Sequence, residues 1–548
     1  MSGAWPGFGI SFGRGPDLTE EGGLCDARVA RVFGVRPPLF APAGARARSG
    51  EGGSFRPPEN LDPVLLGLDL GTGSAKALLL AGDGAVVGEG SAPYAVLSPR
   101  PGWAESRPED WWDAVVSAVR DALGGRGSDV AAVGLSGQMH GVVLSDVGGT
   151  PLRPAVLWAD TRSVGELDAY RRLDPETTRR LANPPAVGMA GPSLLWLRRN
   201  EPGPYARARW ALQPKDWLRL RLTGEAVSEP SDASATLLYD LLSDRWASPV
   251  VDALGLRVDL LAALVPSGAA AGGLTPSAAE ALGLRAGLPV AAGAADTAAA
   301  MLGCGLLEPG PVQLTIGTGA QIFAARSEPS PDPNGSTHLY RAAAPGLWYS
   351  MAAIQNAGLA LEWARGLLGA SWDEVYGEAF SVPPGAGGVS FLPYLSGERT
   401  PRFDPAARGA WTGLGLDHRR AHLLRAALEG VAFALREGLE ALEASGIDAP
   451  ELRLAGGGSG GEAGEPWRQL LADVLGRPLR LLPDGVAPVA SARGAALLAG
   501  LASGLYKTVG ETLDLAPDTT RAFEPGEHAP TYEAVYERFL ELYPRLTG

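Results

Sequence analysis

The sequence predicts an α/β chain of two similar lobes flanking a central cleft. Three observations carry that prediction. The strand–glycine–strand segments DLGTGSAKALLL and QLTIGTGAQIFA recur about 245 residues apart, which marks an internal duplication. Helices and strands alternate through the second half, as an α/β fold requires. At 548 residues the chain exceeds one ordinary domain, so two large units are expected.

Composition limits the function classes. The net charge of -14 argues against nucleic acid as a partner, because its phosphates need a basic face. Cys25 and Cys304 are the only cysteines, so neither a disulfide framework nor a cysteine metal cluster is on offer. No apolar stretch reaches spanning length without Gly, Pro or charge, so a membrane partner is not expected. The expected setting is reducing and cytoplasmic. Residues 1–63 are rich in Gly, Pro and Arg and lack both a sustained apolar period and the apolar core of a secretory signal. They read as disordered, or as an extension from a mis-called start, since no Met lies between Met1 and Met139. Residues 64–307 and 308–548 are the expected lobes.

The first glycine segment runs from Val64 to Leu80. An apolar strand ends near Asp69, the turn Gly71-Thr72-Gly73 follows, and a second strand leaves it. Glycines let backbone N–H groups approach an anion because no Cβ intervenes. Asp69 stands where it could face a metal. Asp83-Gly84 then signals a hairpin turn into a third strand. Strands, not a helix, thus follow the glycines, which disfavours a Rossmann fingerprint. A Walker loop is disfavoured too, since Lys76 is followed by Ala77.

Ser106 is placed to cap a helix that begins with Pro108, Glu109 and Asp110 and ends at Gly124-Gly125. Val130 to Leu135 reads as a buried strand leading into Ser136-Gly137-Gln138-Met139-His140-Gly141, and such strand ends commonly bind ligands in α/β folds. His140 could donate to a ligand hydroxyl, or it could be a structurally satisfied histidine. Trp158 to Arg162 suits sugar recognition and equally an ion pair beside a half-buried Trp. Gln213 to Glu225 reads as an amphipathic helix closed by Gly224, with Lys215 and Asp216 as a structural ion pair, and Ser231 to Ser234 as a polar loop.

Asp296 is a lone acid among small apolar residues, either a helix N-cap or a functional group. Partial desolvation would raise its pKa, which suits a general base. Val312 to Ile316, Gly317-Thr318-Gly319 and Gln321 to Ala325 then repeat the strand–turn–strand pattern. Two glycine turns offered to one polyphosphate across a cleft is the actin-like (ribonuclease H-like) ATPase architecture. Ala421 to Ala444 has the apolar spacing of a long helix. A third glycine run, with Gly456, Gly457 and Gly458, follows the strand Leu452 to Leu454 and precedes a helix around Trp467. That place suits a nucleotide's ribose, phosphate or adenine.

On the motifs GLDLGTGSAKALLL, GLSGQMHGVVL, PKDWLRLRLTGE, GAADTAAA, TIGTGA, FLPYLSGERTPRFDP and LAGGGSGG, the chain from about Val64 onward resembles the FGGY carbohydrate kinases, their xylulokinase branch above all. The resemblance implies ATP and Mg²⁺. Asp69 would help hold the Mg²⁺, and Gly71, Thr72, Gly73, Gly317, Thr318 and Gly319 would form the phosphate turns. The run at Gly456, Gly457 and Gly458 would take the nucleotide. Met139, His140, Asp296 and Thr297 would contact the sugar, with Asp296 as the base for the ketose C5 hydroxyl. The implied reaction is D-xylulose to D-xylulose 5-phosphate. Ribulose, gluconate and glycerol kinases, or an inactive sugar-binding protein, are the alternatives, and a homodimer is a family-level expectation.

Three positions depart from the family pattern. Thr297 stands where Asn is usual, and Gly319 where Ser is usual. The glycine loop is lengthened by Glu462 to Glu465.

Overall fold

The computed structural model describes residues 63–456, 464–483 and 485–547. The expectations for the N-terminal extension, for Gly457 and Gly458 and for most of the lengthened loop lie outside the described residues.

Two mixed sheets of seven strands each form the framework. The first contains β1 (Val64–Leu70), β2 (Ser74–Leu80), β3 (Val86–Pro93), β4 (Val130–Gly137), β5 (Ala270–Gly273), β6 (Pro289–Ala291) and β7 (Ala294–Ala295). Its order is β5-β6-β4-β1-β2-β3, with β7 beside β4. The second contains β8 (Val312–Ile316), β9 (Ala320–Arg326), β10 (His338–Arg341), β11 (Trp348–Ile354), β12 (Leu452–Ala455), β13 (Leu479–Leu481) and β14 (Arg521–Phe523). Its order is β10-β11-β9-β8-β12-β13-β14.

The two sheets share a pairing pattern. In each, an antiparallel meander starts from the strand before the glycine turn: β1-β2-β3 in one, β8-β9-β11 in the other. On the other flank that strand pairs parallel, β1 with β4 and β8 with β12, followed by a further parallel strand and an antiparallel edge. The duplication legible in two short motifs therefore extends through both lobes, and the fold is actin-like.

Helices cover both sheets. They include α1 (Pro108–Leu123), α2 (Pro214–Thr223), α3 (Pro230–Ala233), α4 (Asp296–Gly303), α5 (Arg420–Ala444), α6 (Glu465–Leu475) and α7 (Val486–Ser503). The N-cap of α1 is Arg107, not Ser106, whose backbone is spent in a short strand pair with Ala155. The apolar helix α7 is long enough to cross a membrane by composition, yet more than half of its residues are buried within the protein. It lies directly on the first sheet. A Cβ on Gly67 would stand 1.9 Å from the Ala492 carbonyl oxygen, and one on Gly134 only 1.8 Å from that of Ala495. Only glycine in β1 and β4 allows so close an approach, and it sets the floor of the cleft next to Asp69.

Strand β10 ties the lobes together. The Asn183 side chain accepts from Leu339 N–H at 3.0 Å and donates to the Leu339 carbonyl at 2.7 Å. Ser234 Oγ accepts from Arg341 N–H at 3.0 Å.

Candidate active site

Both glycine turns are closed by backbone bonds, Gly71 N–H to the Ser74 carbonyl at 3.0 Å and Gly317 N–H to the Gly319 carbonyl at 2.8 Å. Side chains brace the first turn. The Tyr94 hydroxyl and the Gln138 amide, the latter at 3.1 Å, both donate to the Gly71 carbonyl. The Trp158 indole N–H donates to Thr72 Oγ1 at 2.9 Å. Trp158 thus supports the turn, while Asp160 and Arg162 pair at 2.7 Å and the guanidinium lies 3.6 Å over Trp103.

The second turn is held from behind by amides of a helix start. Gly358 N–H donates to the Gly317 carbonyl at 3.0 Å and Leu359 N–H to that of Thr318 at 2.9 Å. A Cβ at Gly319 would stand 2.7 Å from the Ile354 carbonyl oxygen, so this backbone has no room for a serine without movement. Gly456, with φ 104°, begins the third glycine run against the same place, since a Cβ there would meet the Ile316 carbonyl at 2.3 Å.

A cavity of about 170 Å³ lies between these elements. Asp69 and Gly71 line it from the first hairpin, Asp296 and Thr297 from α4, Gln313, Thr315 and Gln321 from the second hairpin, and Ser491 from α7. Asp69 is buried and accepts from Ser136 Oγ at 3.2 Å. Burial raises its carboxyl above the ordinary range, against the opposing effects of Lys76 and the Ser136 bond.

Asp296 opens α4 as its first helical residue. The N-cap is Ala295, which makes no side-chain capping bond, so the capping role open to Asp296 from sequence is not the one it plays. Its Oδ1 accepts from Thr297 N–H at 2.6 Å and from Thr297 Oγ1 at 3.2 Å. The residue keeps partial access to solvent through the cavity while its carboxylate is otherwise enclosed by protein. Burial, then the charge of Asp69, push its pKa up to about 7, against the two bonds from Thr297.

Met139 and His140 do not line this cavity. They lie beyond the end of β4, facing the second lobe: the Tyr349 hydroxyl is 3.9 Å from Met139 Sδ, and the His140 and Tyr340 rings are 6.1 Å apart. His140 has φ 71°, and its Nδ1 is 2.7 Å from the Ala235 carbonyl. A carbonyl only accepts, so Nδ1 carries the proton. Burial and the charge of Arg399 lower the imidazole to about 4 in spite of that bond. The ring is therefore neutral near pH 7 and offers Nε2 as an acceptor, the reverse of the donor role read from sequence.

A buried ionic cluster sits behind the acids. Lys215 Nζ is 2.5 Å from Asp216, 3.2 Å from Asp232 and 3.4 Å from Glu229. Arg219 reaches Asp216 at 3.0 Å. The residues Ser231 to Ala233 belong to helix α3 rather than a polar loop, and α2 is buried along almost its whole length rather than amphipathic. Ser231 Oγ accepts from Ala295 N–H at 2.9 Å, one residue before Asp296.

Asp69, Gly71, Asp296 and Thr297 are the predicted site residues that the structure gathers on one cavity. Gln313, Thr315, Gln321 and Ser491 join them without having been singled out from sequence. The available signal was polarity inside otherwise apolar strands flanking the second glycine turn.

Duplicated lobes presenting glycine turns beside a shared pair of acids form the cleft of a phosphotransferase whose acceptor is an alcohol. The N-terminal domain of the FGGY family of carbohydrate kinases matches residues 64–303 and its C-terminal domain matches residues 312–503. The chain belongs to that family. It is 37% identical over 486 residues to a xylulose kinase of Escherichia coli, covering 88% of this chain and 99% of that protein. Among solved structures it is similar to a "xyloylose kinase" from Brucella ovis, with 37% identity, a TM-score of 0.81 and coverage of 88% and 99%. A xylulose kinase from Rhodospirillum rubrum has 32% identity, a TM-score of 0.79 and coverage of 88% and 99%.

Proposed function

We propose that the chain transfers the γ-phosphoryl group of ATP to the C5 hydroxyl of D-xylulose, giving D-xylulose 5-phosphate and ADP. The observation that carries this reading is the placement of Asp296, poised near neutrality, on one cavity with Asp69 and the first glycine turn. In this reading Asp296 accepts the C5 hydroxyl proton as the oxygen attacks phosphorus in line, and ADP departs on the opposite side. The glycine turns would hold the phosphates with backbone N–H groups, and the run from Gly456 would hold the nucleoside. Thr297 Oγ1, within 3.5 Å of Gln321 Oε1 across the cleft, would orient Asp296.

Mg²⁺ fits this donor set. Asp69 is a single buried carboxylate beside an open cavity, and among the described residues no trio of His, Cys, Asp or Glu forms a cage. One carboxylate plus substrate phosphates and waters is the environment Mg²⁺ prefers. When bound there it would offset the charge on the phosphate oxygens. Residues 64–307 and 308–548 act as the two jaws in this reading, and closing them would exclude water from the reacting phosphorus.

The test is coupled ADP release with D-xylulose, L-ribulose, D-gluconate and glycerol. D-xylulose is expected to give the highest kcat/KM. Turnover of none of them would remove the kinase reading, and a preference for gluconate or glycerol would remove the ketose assignment.

The pH profile follows from Asp296. The base works only when ionised, so kcat/KM is expected to fall about tenfold per pH unit below about 7 and to level off above it. A cation at Asp69 would relieve the repulsion and move this limb to lower pH. A profile flat from pH 5 to 9 would contradict the assignment.

A further inference from the structure

The transfer step uses nothing from β10 or from the segment Gly397–Asp404, yet both bring polar groups to the wall beside His140. His338 and Tyr340 alternate with Leu339 and so share one face of β10. Leu339 packs with Ala233 and Tyr239, whereas Tyr340 belongs to the cluster that contains Met139. The His338 ring stacks on Tyr340 at 5.5 Å with an interplanar angle of 14°. His338 is 1% exposed, and among the described residues neither of its ring nitrogens nor the Tyr340 hydroxyl has a hydrogen-bond partner. Buried polar atoms are usually bonded, so these three, gathered on one face, are groups left for a ligand or water to satisfy.

Arg399 supplies the missing charge. Its backbone is pinned: its N–H donates to Glu398 Oε1 at 2.8 Å, and its carbonyl accepts from Phe403 N–H at 2.5 Å. Phe403 meets His338 edge-on at 5.4 Å, which sets this segment against β10. Arg399 is half-buried as a residue, and its guanidinium has no hydrogen bond or ion pair among the described residues. Its charge nonetheless acts on His140, His338 and Tyr340, with burial the larger effect on each ring.

We infer that Arg399, with His338 and Tyr340, forms the second-lobe wall of the acceptor pocket and reads the carbonyl end of the ketose. This rests on the ketose kinase reading above. A guanidinium only donates and a ketone oxygen only accepts, so the two match. A C2 hydroxyl can also accept from the guanidinium, but it stands on a tetrahedral carbon and leaves its own proton needing a further acceptor, so the planar carbonyl is the better match and the preference follows from that difference. The neutral His140 Nε2, the His338 nitrogens and the Tyr340 hydroxyl would take the neighbouring sugar hydroxyls. Asp296, whose charge also acts on Tyr340, would stand at the C5 end. Arg399 thus acts in specificity, not in the transfer step.

The experiment compares D-xylulose with xylitol, which differs by a hydroxyl at C2. KM and kcat are measured for D-xylulose, and the inhibition constant for xylitol, in the wild-type chain and in the variants Arg399→Met and Arg399→Lys. Arg399→Met is expected to raise KM for D-xylulose at least about tenfold with kcat within about threefold, and to leave xylitol inhibition within about threefold. Arg399→Lys should recover part of the loss. Equal weakening toward both compounds, or an unchanged KM, overturns the inference. Should Arg399→Met not fold, Arg399→Lys together with His338→Gln gives the same comparison. If the wild-type chain does not phosphorylate D-xylulose, the functional reading fails; if it does and the discrimination survives in the variants, only this inference fails.

Discussion

Asp296→Asn is expected to lower kcat by about 10²–10⁴-fold while KM for D-xylulose changes by less than about fivefold. The amide keeps the size of the carboxylate, and its oxygen can still accept from Thr297 N–H. What it loses is the capacity to take a proton. If the hydroxyl proton passes to Asp296 in the transition state, the loss falls on kcat and not on sugar binding. A fall of less than about tenfold would remove Asp296 as the base, because general bases typically contribute more than that. Stability gives a second readout with its own sign. The carboxyl has a folded pKa of about 7 against an ordinary 3.8, so the folded state is penalised increasingly as pH rises from 3.8 to 7, and fully above that. The Asn variant carries no such penalty. At pH 8 it should unfold with a free energy higher by about 1–2 kcal/mol, a figure reduced for the solvent that reaches the carboxylate through the cavity. The gain should shrink toward pH 5. An ordinary substitution at a packed position destabilises instead, so equilibrium unfolding at the two pH values separates a functional acid from a packing residue.

The parts of this molecule that were legible in sequence are the ones determined locally. The strands on either side of Gly71-Thr72-Gly73 and Gly317-Thr318-Gly319 follow from apolar runs and turn chemistry within a dozen residues. Asp296 stood out because its neighbours are small and apolar. What sequence could not give is who meets whom across hundreds of residues. Gln321 and Ser491 reach the acid only because the second hairpin and α7 are folded over α4. The tautomer of His140 is set by the Ala235 carbonyl, 95 positions away. Ser106 looked like a cap because it precedes Pro108, but its strand pairing with Ala155 moved the cap to Arg107. The charges of QPKDWLRLRLTGE suggested a solvated face, since two of the three acids that receive Lys215 lie outside that stretch, in α3 and its cap.

That last misreading leads to the other large expected effect. Lys215→Met should destabilise the protein by about 3–5 kcal/mol, because deleting one partner of a buried ion pair strands the others. Lys215 is fully buried, and burial alone would lower its pKa; Asp216, Asp232 and Glu229 instead push it up to about 12. Burial, reinforced by Asp216 and Glu229 and only partly offset by Lys215, holds Asp232 well above the carboxylate range. Two cations, Lys215 and Arg219, thus stand among three acids, Asp216, Asp232 and Glu229. Without Lys215 only Arg219 remains to face them in a site that water does not reach. The damage should not stay local. Glu229 accepts from Ser231 N–H at 2.8 Å and from Ser231 Oγ at 2.8 Å, and that same oxygen receives Ala295 N–H just before Asp296. Thermal unfolding should show a melting temperature lower by at least about 5 °C. Assays well below that temperature should show a further loss in kcat as the base drifts from its position. The double variant Lys215→Met with Asp216→Asn should recover part of the stability, with a coupling of about 1–3 kcal/mol. A stable single variant would mean that water reaches the cluster. A destabilised variant with unchanged kcat would make the cluster a support of the fold alone, with the alignment of Asp296 set by Thr297 and α4.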